Sequence, residues 1–200
     1  MRNFEVRFKR APATPGEFEV VPAEVPRLPN GGILCRARWL AADALFAPLA
    51  EHPAVPGEIV PALGVYEVIE SRNDVFTVGQ CVVLECGMRE LCATDGHDAI
   101  ALHPGHTPAS TALGVLGPDH SRSMRGDHDH PDAQAKVRIL RLNPSDYRHR
   151  RAEFLKDAIA WYGAGRLVCH EDVITGLENA PAHLGRVLRG EHFGQPLIKV

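Results

Sequence analysis

Hydrophobic and polar side chains alternate along most of the first hundred residues, in short runs cut by glycine and proline. A period of two puts one set of side chains on each face of a strand. Phe4 to Phe8 alternates, and Glu17 to Val25 alternates around a proline that suits a sheet edge. After the turn Asn30-Gly31-Gly32, the strand Ile33 to Leu40 sets Ile33, Cys35, Ala37 and Trp39 on one face. Leu34, Arg36, Arg38 and Leu40 take the other. Val55 to Ile59 reads as a short strand between prolines. Leu63 to Glu70 runs into the polar turn Ser71 to Asp74, and Cys81 to Leu84 and Asp98 to Leu102 close the series. Short strands separated by turn residues predict a small barrel or sandwich.

Beyond Pro108 the texture changes. Pro108 and the following ASTALGVL read as a short helix opened by proline. Pro118 to Ala135 holds almost no large apolar residue except Met124 and reads as a solvated linker. A strand over Val137 to Leu142 follows, then a helix from about Arg151 to Tyr162. There Phe154, Leu155, Ala158, Ile159 and Tyr162 recur with helical spacing, and Gly163 and Gly165 supply the stop. Leu167 to Val173 is extended. Ala180 to Leu188 is helical with Leu184, Val187 and Leu188 inward, and Pro196 to Val200 is a last strand.

The composition fits one domain of ordinary size: 200 residues, 44% hydrophobic, 24% charged, net charge -3. That balance predicts no grip on nucleic acid or on an anionic membrane. No apolar run reaches the ~20 residues of a membrane span, and MRNFEVRFKR does not read as a secretory signal. The five cysteines, an odd number without a CxxC pair, predict reduced thiols and a cytoplasmic protein.

Several patterns weigh little. Asp119, His120, Asp127, His128, Asp129, His130 and Asp132 have metal-ligand chemistry but no scaffold to fix them, so they read as adventitious binders. His103 and His106 read as surface residues. Cys81, Cys86 and Cys92 have poor spacing for zinc and read as small buried hydrophobes. No Gly-x-Ser-x-Gly elbow, P-loop or Gly-x-Gly-x-x-Gly turn is present.

Two separated stretches carry a resemblance. In the first, the residues are FKRAPATPGEFEVVPAEVPRLPNGG, WLAAD around Asp43, VIESRNDVFTVGQCV and STALGVLG. In the second they are DYRHRRAEFLKDAIAWYGAGRL, HEDVITGLENAP and LRGEHFGQPLIKV. Both resemble the zinc-independent medium-chain dehydrogenase/reductase family, the group of prostaglandin, leukotriene and curcumin reductases. The resemblance implies a mainly β fold with C-terminal helices: a GroES-like β-barrel over residues 1–117, completed by residues 136–200. In the family a nucleotide-binding Rossmann domain lies between these parts; here only the linker 118–135 stands there. Val137 to Leu142 resembles the last strand of that lost domain.

The resemblance therefore implies a substrate-holding scaffold with no nicotinamide and no other cofactor. Zinc is excluded as well, because Ala42 stands where zinc-dependent relatives have a ligating cysteine. The expected function is a non-redox enzyme, a cyclase or isomerase, acting on a small apolar conjugated carbonyl compound of polyketide type. The alternatives are a binding or assembly module, a partner of a full-length reductase, or an inactive deletion remnant. Tyr147 matches the family's active-site tyrosine and would donate to a carbonyl. Glu85 would act as a base and Asp43 stands at the barrel mouth. Trp39, Leu45, Phe46 and Met88 would contact the substrate. Ala44-Leu45-Phe46 replaces the family's Pro-Tyr-Met run, and Leu84 to Met88 replaces its glycine- and aromatic-rich segment. Loss of a domain bares an apolar wall, to be covered by a dimer mate, the linker or a bulky substrate; a homodimer is expected.

Overall fold

The structure, a computed structural model, describes residues 1–9, 17–43, 55–102, 108–117 and 149–200. Two strands, β1 (Phe4–Phe8) and β2 (Phe18–Pro22), pair as an antiparallel ribbon. A seven-stranded sheet holds β3 (Ile33–Ala41), β4 (Leu63–Ser71), β5 (Cys81–Glu85), β6 (Leu91–Thr94), β7 (Ile100–Ala101), β8 (Glu171–Thr175) and β9 (Gln195–Lys199). Helices α1 (Arg151–Gly163) and α2 (Ala180–Leu188) lie in the C-terminal part, and a 3-10 turn spans Ala109–Leu113.

The longest strands organise the sheet. β3 pairs β4 along one edge; its other edge takes β6 at Ile33 to Arg36 and then β9 at Trp39 to Ala41. β9 also pairs β8 in parallel, with α2 as the crossover between them. Val6, Phe8 and Phe18 of the ribbon meet Cys35, Tyr66, Val82, Leu84 and the α2 residues Ala180, Leu184 and Val187 in the main core. A smaller cluster on the opposite sheet face joins Ala41, Val65, Val83 and Leu197 to Ala112 and Leu113 of the 3-10 turn. Each fully buried Leu, Ile or Val contributes about 1.5–3 kcal/mol by leaving water.

Several expectations are corrected. The β3–β4 register is irregular between Ala37 and Trp39, so Arg38 is an extra residue and the side-chain parity inverts beyond it. Ile33, Cys35 and Ala37 face the main core, but so do Leu40 and Ala42, while Trp39 packs with the smaller cluster. Val55 to Ile59 is not a strand; it offers only the isolated bridge Arg7↔Ile59. β6 was not expected, since four residues, LCAT, show no alternation to read. On α1 Ala158 of the expected stripe is buried and Leu155, Ile159 and Tyr162 are half-buried, but Phe154 stands 45% exposed. Helical periodicity specifies a stripe, not what covers it. The Val137 to Leu142 strand and the linker lie outside the described residues.

Candidate functional site

The antiparallel registers bring distant polar residues to one end of the sheet. Leu40 pairs Gly64 and Leu63 pairs Glu85, so the end of β3, the start of β4 and the end of β5 coincide. Asp43 follows β3 and is half-buried; Glu85 ends β5 and is exposed. Two strand spacings separate their strands, on the order of 10 Å. β9 starts at the same end, because Ala41 pairs Leu197 and the Ala42 N–H donates to the Pro196 carbonyl at 2.9 Å. The parallel register Glu171↔Gln195 adds the start of β8.

Here the sheet end carries groups that sequence reasoning passed over. Ser110 and Thr111 of the 3-10 turn are both fully buried. Ser110 Oγ donates to Glu171 Oε2 at 3.1 Å, and Thr111 Oγ1 donates to the Pro108 carbonyl at 2.8 Å. Gln195 Nε2 is buried at this end without an acceptor. An unmet buried donor costs roughly 1–3 kcal/mol, which a carbonyl oxygen seated there would return. The only sequence signal was Ser110 near the start of a predicted helix; Gln195 had none, since its burial depends on strand pairing.

The other predicted residues are placed as follows. Trp39 is half-buried with the Lys199 ammonium 5.7 Å from its ring centre. Met88 is fully buried in the main core, where its N–H donates to Val60 O at 2.7 Å and its carbonyl accepts from Val6 N–H at 2.8 Å. Those two bonds fix the Met88 backbone, and its side chain packs within the main core. Leu45, Phe46 and Tyr147 lie outside the described residues, as do His103, His106 and the His/Asp-rich segment.

A second polar group sits on α2. His183 is 2% exposed and neither ring nitrogen has a partner. Burial pushes its pKa below the ordinary value; Asp172 opposes this, while Arg186 and His192 reinforce it. Arg186 Nη2 is itself held by Asp172 Oδ2 at 3.1 Å and by the Glu191 carbonyl at 3.0 Å. His183 is therefore neutral in the folded protein at neutral pH. The unfolded chain's imidazole titrates near 6.5, so below that pH the unfolded state binds more protons and stability falls with falling pH. Melting temperatures taken from about pH 7 to about pH 5 should fall more steeply for the natural protein than for His183→Leu; equal slopes would refute the assignment.

A nicotinamide dinucleotide needs a glycine turn between a strand and a helix, with the helix N-terminus free for the pyrophosphate. Among the described residues the β8–α2 connection comes nearest, since Gly176 there has φ +90°. But the Glu178 carboxylate folds back over Gly176 and fills the space beside it, and the Gly176 N–H is committed to the Lys199 carbonyl at 2.8 Å. A carboxylate at that position repels phosphate. The residues do not fit the group. Among the described residues no set of three His, Cys, Asp or Glu side chains is arranged to hold a metal ion, and no helix is long and apolar enough to cross a membrane.

Comparison with known proteins gives the following. Residues 4–102 match the family described as the N-terminal domain of oxidoreductase. Prostaglandin reductase 1 of Sus scrofa is 33% identical over 107 residues, which are 52% of this chain and 32% of that protein. NADPH-dependent curcumin reductase of Escherichia coli (strain K12) is 36% identical over 55 residues, 28% of this chain and 16% of that one. The match thus spans about a third of the length of the prostaglandin reductases. The crystal structure of CurA from Vibrio vulnificus superposes with a TM-score of 0.74 at 17% identity, covering 99% of this chain and 98% of that one. A thermostable alcohol dehydrogenase from Pyrobaculum aerophilum gives 0.62 at 15% identity, with full coverage of both chains (100% and 100%). At these identities the two structures speak for the fold.

Proposed function

Because this chain belongs to the medium-chain dehydrogenase/reductase family yet lacks its full Rossmann domain, we propose that it acts without a nicotinamide, as an isomerase or cyclase of small conjugated carbonyl compounds. The observation that carries this reading is the unmet Gln195 donor at the sheet end where Asp43 and Glu85 also emerge. A substrate carbonyl accepts from Gln195 Nε2–H and from the Tyr147 hydroxyl. Glu85 or Asp43 takes a proton from the carbon γ to that carbonyl, and the electron pair moves onto the carbonyl oxygen as a dienolate. The proton then returns at the α carbon and the double bond has moved; alternatively the enolate carbon closes onto a second carbonyl. No electrons are gained or lost, so the step requires no hydride. Preorganising the substrate on a rigid sheet end supplies the orientation.

The test is deuterium exchange. A conjugated enone incubated with the protein in D2O, without NADPH, is expected to gain deuterium at the α or γ carbon. Glu85→Gln, Asp43→Asn and Tyr147→Phe are each expected to slow the exchange about 10²-fold if the residue moves or holds the proton. Exchange or turnover that requires NADPH, or saturable NADPH binding at micromolar concentration, overturns the reading. A second reading, a binding module that pairs with a second copy or with a full-length reductase, is favoured by the exposed Phe154, Trp161, Val168 and Phe193 of the C-terminal part. Co-elution with a reductase and no exchange activity would select it.

A further inference from the structure

Three thiols meet where β3, β5 and β6 come together. Cys35 and Cys92 are cross-strand partners, both buried. The Cys92 thiol neighbours Cys35 on one side and Cys86 on the other, Cys35 and Cys92 lying in the main core and Cys86 packing against it. Cys86 directly follows β5 and is half-buried, so the chain of thiols runs from the core to a partly exposed end. The backbone there is pinned. Gly87 has φ +75°, its carbonyl accepts from the Tyr66 hydroxyl at 3.0 Å, and its N–H donates to the Ala62 carbonyl at 3.3 Å. Arg89 brings positive charge, its Nη1 lying 3.5 Å from Glu5 Oε1 and its Nε–H buried without a partner.

These surroundings separate Cys86 from the other accessible thiols. The hydrogen bond from Cys92 lowers the Cys86 pKa; burial opposes this, the Arg89 guanidinium adds to it, and Glu85 opposes. The net direction is down. Cys92 is pushed strongly up by its hydrogen bonds to Cys35 and Cys86 and by burial. The neighbouring Tyr66 is held neutral, chiefly by burial. Cys81 and Cys169 are half-buried too, but burial together with Glu67 in one case and Glu171 in the other raises their thiols. An accessible, acidified thiol touching a second thiol is the arrangement that hydroperoxides convert to a disulfide.

We propose that Cys86 and Cys92 form a peroxide-reactive pair, Cys86 the nucleophile and Cys92 the resolving thiol. The Cys86 thiolate attacks one peroxide oxygen, the O–O bond breaks, and the leaving alkoxide or hydroxide takes up a proton as alcohol or water. The resulting sulfenic acid is attacked by Cys92 sulfur; the S–S bond forms, the S–O bond breaks, and the hydroxide leaves as water with the Cys92 proton. The two thiols lose two electrons and the peroxide gains them.

The full chain is treated with equimolar hydrogen peroxide, its remaining thiols are alkylated, and its peptides are mapped by mass spectrometry. A Cys86–Cys92 disulfide is expected, with Cys81 and Cys169 still alkylated. In Cys92→Ser, a dimedone adduct is expected at Cys86. Iodoacetamide should modify Cys86 at least about tenfold faster than Cys81 or Cys169 at neutral pH, with a rate midpoint below the ~8.5 of a free thiol. Oxidation of Cys81 or Cys169 first, or an intact fold in which Cys86 resists both reagents, overturns the proposal. So does a Cys35–Cys92 disulfide that forms in Cys86→Ser as fast as any disulfide in the natural chain.

Discussion

Ile198→Asp is expected to unfold the whole sheet, not only its C-terminal edge. Ile198 is fully buried in the main core, on the strand that pairs β3 along one side and β8 along the other. Removing the isoleucine forfeits its transfer energy, and the carboxylate that replaces it has no partner in the core. Together these should cost more than about 4 kcal/mol. A domain of this size is stable by only about 5–15 kcal/mol, so most or all of its stability goes. Ile198→Val should cost about 0.5–1.5 kcal/mol. Lys199→Ala, one residue further and exposed, removes only the charge over the Trp39 ring and should cost no more than about 1 kcal/mol. Urea titrations followed by circular dichroism give the ranking. Amide exchange in β4 and β5 decides the stronger point: if those amides stay protected in Ile198→Asp, the C-terminal strand is an appendage and not part of the barrel's core.

How much of this was legible beforehand depends on what each residue needed in order to show itself. β1 announces itself by its alternation, whereas β3, β4, β5 and β9 are buried on both faces in part and show themselves as short apolar runs between turn residues. The bulge at Arg38 leaves no such mark: an arginine in that place fits either parity, and only the pairing with β4 shows which residue is extra. α1 shows the converse in part, since Phe154 satisfies the helical period yet stands exposed, while Leu155, Ala158, Ile159 and Tyr162 of the same stripe are half-buried or buried. The polar residues divide in the same way. Asp43 and Glu85 drew notice through the resemblance, Asp43 at the expected barrel mouth and Glu85 as a base; that the ends of β3 and β5 lie at one end of the sheet comes from the registers. Ser110, Glu171, Gln195 and His183 acquire meaning only from neighbours far away in the chain. Cys86 reads as a small hydrophobe until β6 brings Cys92 against it.

Gly194→Ala should be the most damaging single methyl group in the C-terminal part, and it ties stability to the candidate site. Gly194 has φ +85°, a conformation costing other residues about 1–2 kcal/mol. It also packs straight onto His170: a Cβ there would run into the His170 carbonyl and lie 2.8 Å from its Cβ. The collision cannot be relieved by one side chain, because Gln195 N–H donates to that same His170 carbonyl at 2.8 Å and the Phe193 ring rests 4.9 Å from the His170 ring. The backbone must move, adding about 1–3 kcal/mol. Gly190→Ala is the matched control, with φ +70° and nothing within 4 Å of its Cβ position, so it should show the conformational cost alone. The excess of Gly194→Ala over Gly190→Ala in unfolding free energy measures the steric part. The displaced residues are the first of β8 and β9, where Glu171 holds Ser110 and Gln195 presents its unmet donor. If that sheet end receives the carbonyl, Gly194→Ala must also weaken exchange of the enone at temperatures where the variant is still folded, while Gly190→Ala leaves it intact.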